Sequence, residues 1–180
     1  YEAGITVTSL PGACACITAL TMSGQPTRRF AFEAFLPYDK KERAQILENL
    51  RNETRTIIIY EAPHHLKKTL KECREYLGNR NMTVCKELTK RYEQKRRSTL
   101  DEMIAYYEEN EPRGEYVLIF EGKSLQELKE EKQQEWNQLT VQEHMEHYLE
   151  KGMDKKSAMK QVAKDRGVSK RDIYQELLKK

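Results

Sequence analysis

Long apolar runs are missing from this sequence. None reaches the roughly 20 residues that span a bilayer, and no secretory leader pattern is visible, so the expectation is a cytoplasmic protein with no membrane partner. Cysteine is scarce. The four residues, Cys14, Cys16, Cys73 and Cys85, include no Cys-x-x-Cys pair. Zinc-ribbon spacing is therefore absent, and the expectation is four reduced, buried thiols. His64 and His65 have no such pair to join them, so no metal site is expected. An excess of one sign of charge is also lacking: 32 Lys and Arg stand against 29 Asp and Glu, a net charge of +3. Bulk charge alone does not demand a nucleic-acid partner. P-loop, Gly-x-Gly-x-x-Gly and EF-hand patterns are absent, as are internal repeats and low-complexity tracts. There is no start methionine. The chain opens Tyr1-Glu-Ala-Gly4 and enters a predicted strand at once, which suggests a piece of a longer protein.

What is present is an alternation of strand and helix signals. Ile5 to Thr8 is β-branched and predicts a strand. Pro11-Gly12 breaks it, Ala13 to Ser23 suits a helix, and Gly24 is a left-handed stop. Residues 29–36 alternate aromatic with small or polar residues, a strand with one apolar face. Asp39 caps a helix to about Asn52, with Ala44, Ile46, Leu47 and Leu50 facing inward. Thr54 to Tyr60 is continuously apolar at its centre and reads as a central strand covered on both sides. A helix over 66–77, a strand over 81–87, a polar loop over 88–97, a helix over 100–110 capped by Ser98 or Thr99, and a strand over 116–120 complete the series. That order implies an α/β sheet domain over residues 1–122. A charged helical extension over 123–180 follows, with glycine stops at Gly152 and Gly167 that resemble a helix-turn-helix.

Ligands of open α/β sheets sit beyond the carboxyl ends of strands. Polar residues gather at such ends: Glu61 with His64 and His65, Glu87 with Thr89 and Lys90, and Arg113 with Glu115 before the last strand. Glu61 and Glu87 are the candidate catalytic carboxylates, able to accept from a ribose or amine or to orient a hydroxyl nucleophile; as ordinary strand-end acids they would only pack. The Pro11-Gly12 turn and the helix after it offer close backbone approach and free N–H groups to a polar ligand. Six basic residues, Lys86, Lys90, Arg91, Lys95, Arg96 and Arg97, surround Tyr92. A basic loop with an aromatic can contact phosphates and stack a base, or simply be solvated.

Four segments taken together carry a resemblance. They are SLPGACACITALTMSGQPTRRFAFEAFLP, TRTIIIYEAPHHLKKTL, KELTKRYEQKRRSTLDE and RGEYVLIFEG. In order and spacing they resemble the tetrapyrrole methylase superfamily, and within it the ribosomal RNA small subunit methyltransferase I branch, over about residues 5–122. The family's fold implies that this is its second, carboxyl-terminal mixed-sheet domain with a helical extension. The implied activity is transfer of a methyl group from S-adenosylmethionine to the 2′-hydroxyl of a cytidine in 16S rRNA of the small ribosomal subunit, by a homodimer. A corrinoid or porphyrin methylase, or a non-catalytic RNA-binding or dimerisation module, are the alternatives. Carried over by motif position, the implied cofactor-binding residues are Pro11, Gly12, Cys14, Ala15, Tyr60, Ala62, Leu88, Glu115 and Val117. The implied RNA-binding residues are Lys90, Arg91, Arg96 and Arg97. The chain departs from the branch pattern at Ala34 (usually Gly), His65 (usually Arg), Lys86 (usually Arg) and Ser98 (usually Gly).

Overall fold

The computed structural model describes residues 2–178. In chain order the elements are α1 (Ala15–Ser23), β1 (Phe30–Phe35), α2 (Lys40–Leu50), β2 (Thr56–Glu61), α3 (Pro63–Leu77), β3 (Asn81–Lys86), β4 (Gln94–Thr99), α4 (Leu100–Glu109) and β5 (Tyr116–Phe120). They are followed by α5 (Leu125–Gln138), α6 (Val141–Glu150), α7 (Lys155–Arg166) and α8 (Lys170–Leu178). The chain divides into two compact units, Tyr1–Lys123 and Ser124–Lys180.

The first unit is built on a mixed sheet of order β1-β2-β5-β3-β4. β1 pairs parallel with β2, and every other pairing is antiparallel. The carboxyl ends of β1, β2 and β3 therefore share one sheet edge with the amino ends of β4 and β5. Side chains alternate faces with period two. Ile57, Ile59, Met82, Val84, Leu118 and Phe120 pack under α2, α3 and α4. Ile58, Cys85, Val117 and Ile119 pack under α1 alone. Small side chains let α1 lie close, and its Ser23 carbonyl accepts from Thr83 Oγ1 at 3.0 Å.

Several sequence expectations need correction. Residues 5–8 are not a strand; Ile5 and Val7 stand exposed, and no strand pairs with them among the described residues. β propensity does not hold a strand without a partner ladder. The predicted polar loop 88–97 is half strand, because Gln94 to Thr99 pairs along its whole length with β3. Edge-strand side chains remain in water, so no apolar alternation marked it. α3 begins at Pro63 rather than Leu66, since proline at a first helical position loses no hydrogen bond. On α2, Arg43 is buried with Leu47 and Leu50, whereas Ala44 and Ile46 are half-buried. Of the four thiols expected to be buried, Cys14 is exposed.

In the second unit, Ser124, Thr140 and Asp154 cap α5, α6 and α7 with their side chains. Val141, Met145, Ala158, Met159, Val162, Ala163 and Ile173 form its core. The buried His144 ring stacks on Trp136, centroids 3.9 Å apart, and its Nδ1 accepts from Arg166 Nε at 3.1 Å. Arg166 also donates to the Trp136 and Leu139 carbonyls, 2.9 and 2.5 Å away, closing the end of α5. α7 ends at Gly167, whose φ of 66° turns the chain into α8.

Candidate functional site

The sheet edge that collects three strand ends opens on a cavity of about 500 Å³. Ala15 of α1, Tyr60 and Ala62 at the end of β2, Leu88 after β3, and Glu115 and Val117 at the entry of β5 line it, with Phe35, Glu61, Pro63 and Tyr116. Six of the nine expected cofactor residues thus face one space. The other three do not line it. Pro11 and Gly12 lie in the exposed segment before α1, where a side chain at Gly12 would meet nothing, and Cys14 is the exposed residue at the helix cap.

The ceiling of the cavity is anchored by Tyr60, whose hydroxyl accepts the Cys16 N–H at 2.9 Å. That bond ties the amino end of α1 to β2 and satisfies one of its orphan donors. Burial raises the Tyr60 phenol above its ordinary range. Phe32 and Phe35 meet the Tyr60 ring edge-on at 5.0 and 5.6 Å. The Cys14 and Cys16 sulfurs lie 3.3 Å apart, and the bond from Cys16 holds the Cys14 thiol below its usual range.

The two candidate carboxylates sit differently. Glu61 is buried. Its Oε1 accepts the Ala62 N–H at 2.8 Å, its Oε2 accepts the Thr69 hydroxyl, and Arg43 Nη2 stands 3.9 Å away. Arg43 in turn donates to Glu72 and to Thr69, each at 2.6 Å. Glu87 does not line the cavity but holds Glu115, which does. Its backbone N–H donates to the Glu115 carbonyl at 2.9 Å, and its Oε1 accepts the Glu115 N–H at 2.8 Å. That backbone donor, with Lys90 at 3.2 Å, holds the Glu87 carboxyl below the usual carboxylate range. Gly114 has φ +83°, and a Cβ on it would lie 2.6 Å from the Glu87 side chain. The Arg-Gly-Glu turn thus needs glycine both for its backbone and for the carboxylate lying across it.

Residues 1–104 match the model of the family described as Tetrapyrrole (Corrin/Porphyrin) Methylases. The chain belongs to the tetrapyrrole methylase family. The chain is similar to the ribosomal RNA small subunit methyltransferase I of Halalkalibacterium halodurans, 47% identical over 171 residues that cover 95% of the chain and 58% of the relative. Its similarity to the Bacillus subtilis protein of the same name is 47% over 168 residues, 93% of the chain and 57% of the relative. It thus spans a little under three-fifths of the length of these two relatives. The solved structure of a cobalamin biosynthetic enzyme, cobalt precorrin-4 methyltransferase, shares the fold with a TM-score of 0.50 at 18% identity, covering 67% of this chain and 54% of that one.

The expected RNA-binding residues fall into two groups. Arg96 and Arg97 lie on β4, where they line an open groove of about 570 Å³ with Lys86, Lys95 and Tyr106. The Arg96 guanidinium sits 3.8 Å over the Tyr106 ring. Lys90 and Arg91 lie in the turn before β4, and Lys90 is held by Glu87 and, at 2.8 Å, by Glu115. His64 and His65 are on the first turn of α3, ring centroids 4.1 Å apart. The residue that sequence reasoning passed over is Arg43; only its place four residues after the Asp39 cap, on the inward side of α2, signalled that it points at the sheet.

Proposed function

We propose that this methylase chain is the cofactor-holding part of an S-adenosylmethionine-dependent enzyme that methylates the 2′-hydroxyl of a cytidine in 16S rRNA of the small ribosomal subunit, acting in the cytoplasm as a homodimer. The observation that carries this reading is the convergence of Ala15, Tyr60, Ala62, Leu88, Glu115 and Val117, drawn from four separate segments, on one cavity. A space of about 500 Å³ falls in the range of small-molecule sites. Its chemistry fits the cofactor: small and apolar walls at Ala15, Ala62, Leu88 and Val117 suit a flat ring. The name borne by the relatives supports RNA as substrate, and so does the basic groove along β4.

S-adenosylmethionine, when bound, supplies a methyl group on a good leaving group, so the protein's task is mainly orientation. Tyr60 fixes α1 against the sheet and sets the width of the cavity. Glu87 holds the Glu115 turn through paired backbone bonds. Glu61 stiffens the β2 to α3 corner through Thr69 and Ala62. Both carboxylates are positioning residues on this reading. Lys86, Arg96 and Arg97, in the groove along β4, supply phosphate contacts.

The test is methyl transfer from labelled S-adenosylmethionine to small ribosomal subunits from cells lacking the activity, using the longest polypeptide that contains this sequence. Label in a single 2′-O-methylcytidine is expected. Cofactor binding with no label in rRNA, and label in a corrinoid or porphyrin instead, would overturn the RNA assignment. A rate unchanged by alanine at both Glu61 and Glu87 would remove their positioning role.

A further inference from the structure

A second cavity, of about 350 Å³, adjoins the first and shares Phe35, Glu61 and Ala62 with it. Its rim is aromatic and basic: Phe35 and Tyr38, with His65 and Lys68. Tyr38 is 82% exposed and Phe35 62% exposed, so both rings are open to a ligand at the rim. The Tyr38 ring meets His65 edge-on at 5.3 Å. β1 is bulged between Phe32 and Ala34, and Ala34 takes φ +51°. Bulges of this kind re-aim the side chains that follow, and here the next residue is Phe35.

The wall beneath the rim is charged. Arg43 is 8% exposed and Glu61 5% exposed. A buried ion pair is a poor source of stability, because desolvation offsets its attraction. This pair also keeps hydrogen-bonding capacity. Glu61 spends one site on the Ala62 N–H and one on the Thr69 hydroxyl, out of about four lone-pair sites on a carboxylate. Arg43 uses Nε on Glu72 and Nη2 on Thr69, leaving Nη1 outside that network.

A ligand suited to this space is flat, stacks on exposed rings, gives a donor to a carboxylate and takes one from a guanidinium. Cytosine has those groups on one edge: its exocyclic amine donates, and its ring nitrogen and carbonyl accept. Uracil would turn a carbonyl toward the Glu61 carboxylate. We propose that this second cavity receives the base of the target nucleotide, that Phe35 and Tyr38 stack it, and that Glu61 and Arg43 read it as cytosine while the ribose lies at the seam between the cavities. The proposal rests on the RNA reading above and adds to it the residues that select the base.

The test is a nuclear magnetic resonance titration of this chain with cytidine 5′-monophosphate, uridine 5′-monophosphate and S-adenosylhomocysteine, followed at Tyr38 and His65 for the second cavity and at Ala15 and Leu88 for the first. Cytidine monophosphate is expected to move Tyr38 and His65 and to bind about tenfold or more tightly than the uridine compound. Tyr38→Ala, at an exposed position that leaves the fold intact, is expected to weaken it roughly fivefold or more through lost stacking. Glu61→Gln, which can donate to a carbonyl, is expected to narrow the preference for cytosine over uracil. Equal binding of the two nucleotides, shifts confined to Ala15 and Leu88, or no shift at Tyr38 up to the solubility limit would each overturn the proposal. S-adenosylhomocysteine failing to move Ala15 and Leu88, with cytidine monophosphate still moving Tyr38, would uphold the base site and overturn the cofactor assignment instead.

Discussion

The two faces of the sheet are covered very differently. One lies under α2, α3 and α4 and contributes Ile57, Ile59, Met82, Val84, Leu118 and Phe120 to a continuous core. The other lies under α1, nine residues of mostly small side chains, and leaves Phe32 and Phe35 exposed beside the cavities. The ends of the sheet repeat the contrast. Where β2 begins, Glu53 is paired with Arg55, and the Glu53 carbonyl accepts the Lys123 N–H at 2.7 Å. Where β2 ends, Glu61 and Arg43 keep unused bonding sites against open space. The closed face and the tied end hold the fold together. The thinly covered face and the open end are where this unit can meet a ligand.

The contrast predicts its largest effect in the core. Phe120 is fully buried on the closed face, so Phe120→Ala is expected to cost about 3–5 kcal/mol. Ile119→Val, its neighbour on the α1 face, is expected to cost about 0.5–1.5 kcal/mol. Denaturant unfolding of both variants measures the pair. Cofactor affinity, measured on the same proteins, should survive the second change. If an alanine at Phe120 cost no more than the Ile119 change, the closed face would not be the part that holds the fold.

At the open end the sharpest test is Gly114→Ala. The added Cβ falls 2.6 Å from the Glu87 side chain at a backbone φ of +83°. Strain and displacement of the carboxylate together are expected to cost about 2 kcal/mol. Because Glu87 holds the Glu115 turn, S-adenosylhomocysteine affinity by calorimetry should fall by roughly an order of magnitude, which is about 1.4 kcal/mol. Loss of stability with affinity intact would separate the turn from the cavity.

The same contrast sets what could be read from the sequence. The closed-face strands were legible because burial on both sides leaves an unbroken apolar run, as in Thr56 to Tyr60 and Tyr116 to Phe120. Helix limits were legible where a cap carries a mechanism, as at Asp39 and Thr99. β4 was not, because Gln94 to Thr99 sits at an edge and its ladder to β3 is a backbone property with no side-chain signature. The failed strand at Ile5 to Thr8 is the converse, strong propensity with no partner. Six of the nine residues that the motif resemblance put forward for a cofactor line one cavity. Arg43 was not, since a charged residue on a helix reads as solvated until its buried partners, Glu61, Thr69 and Glu72, are brought together by tertiary packing.

The tied end makes a prediction about acid. The Arg55 side chain, followed by burial acting against it, holds the Glu53 carboxyl down to about 2 from an ordinary 4.5. A carboxyl whose folded value lies below its unfolded one contributes stability above the unfolded value and loses it as pH falls. Stability should therefore decline between about pH 4.5 and about pH 2, by about 1–2 kcal/mol once solvent screening of the half-exposed Arg55 is allowed for. Glu53→Gln should flatten that part of a stability curve taken by thermal melting. A curve that keeps its slope would place the acid sensitivity elsewhere.

The smallest effect tests the bulge. Ala34 holds φ +51°, where a Cβ crowds the backbone at a cost of about 1–2 kcal/mol that glycine avoids. Glycine recovers that strain but adds about 0.4–1 kcal/mol of freedom to the unfolded chain. Ala34→Gly is therefore expected to stabilise the protein by only about 0.5 kcal/mol, read as a small rise in melting temperature. Its value lies in direction. If the bulge exists to aim Phe35 at the base cavity, relieving it leaves the backbone path intact, and cytidine monophosphate should bind as before or slightly better. A drop in both melting temperature and nucleotide affinity would mean that the alanine methyl itself packs against the rim, and that the bulge is held by that contact rather than tolerated in spite of it.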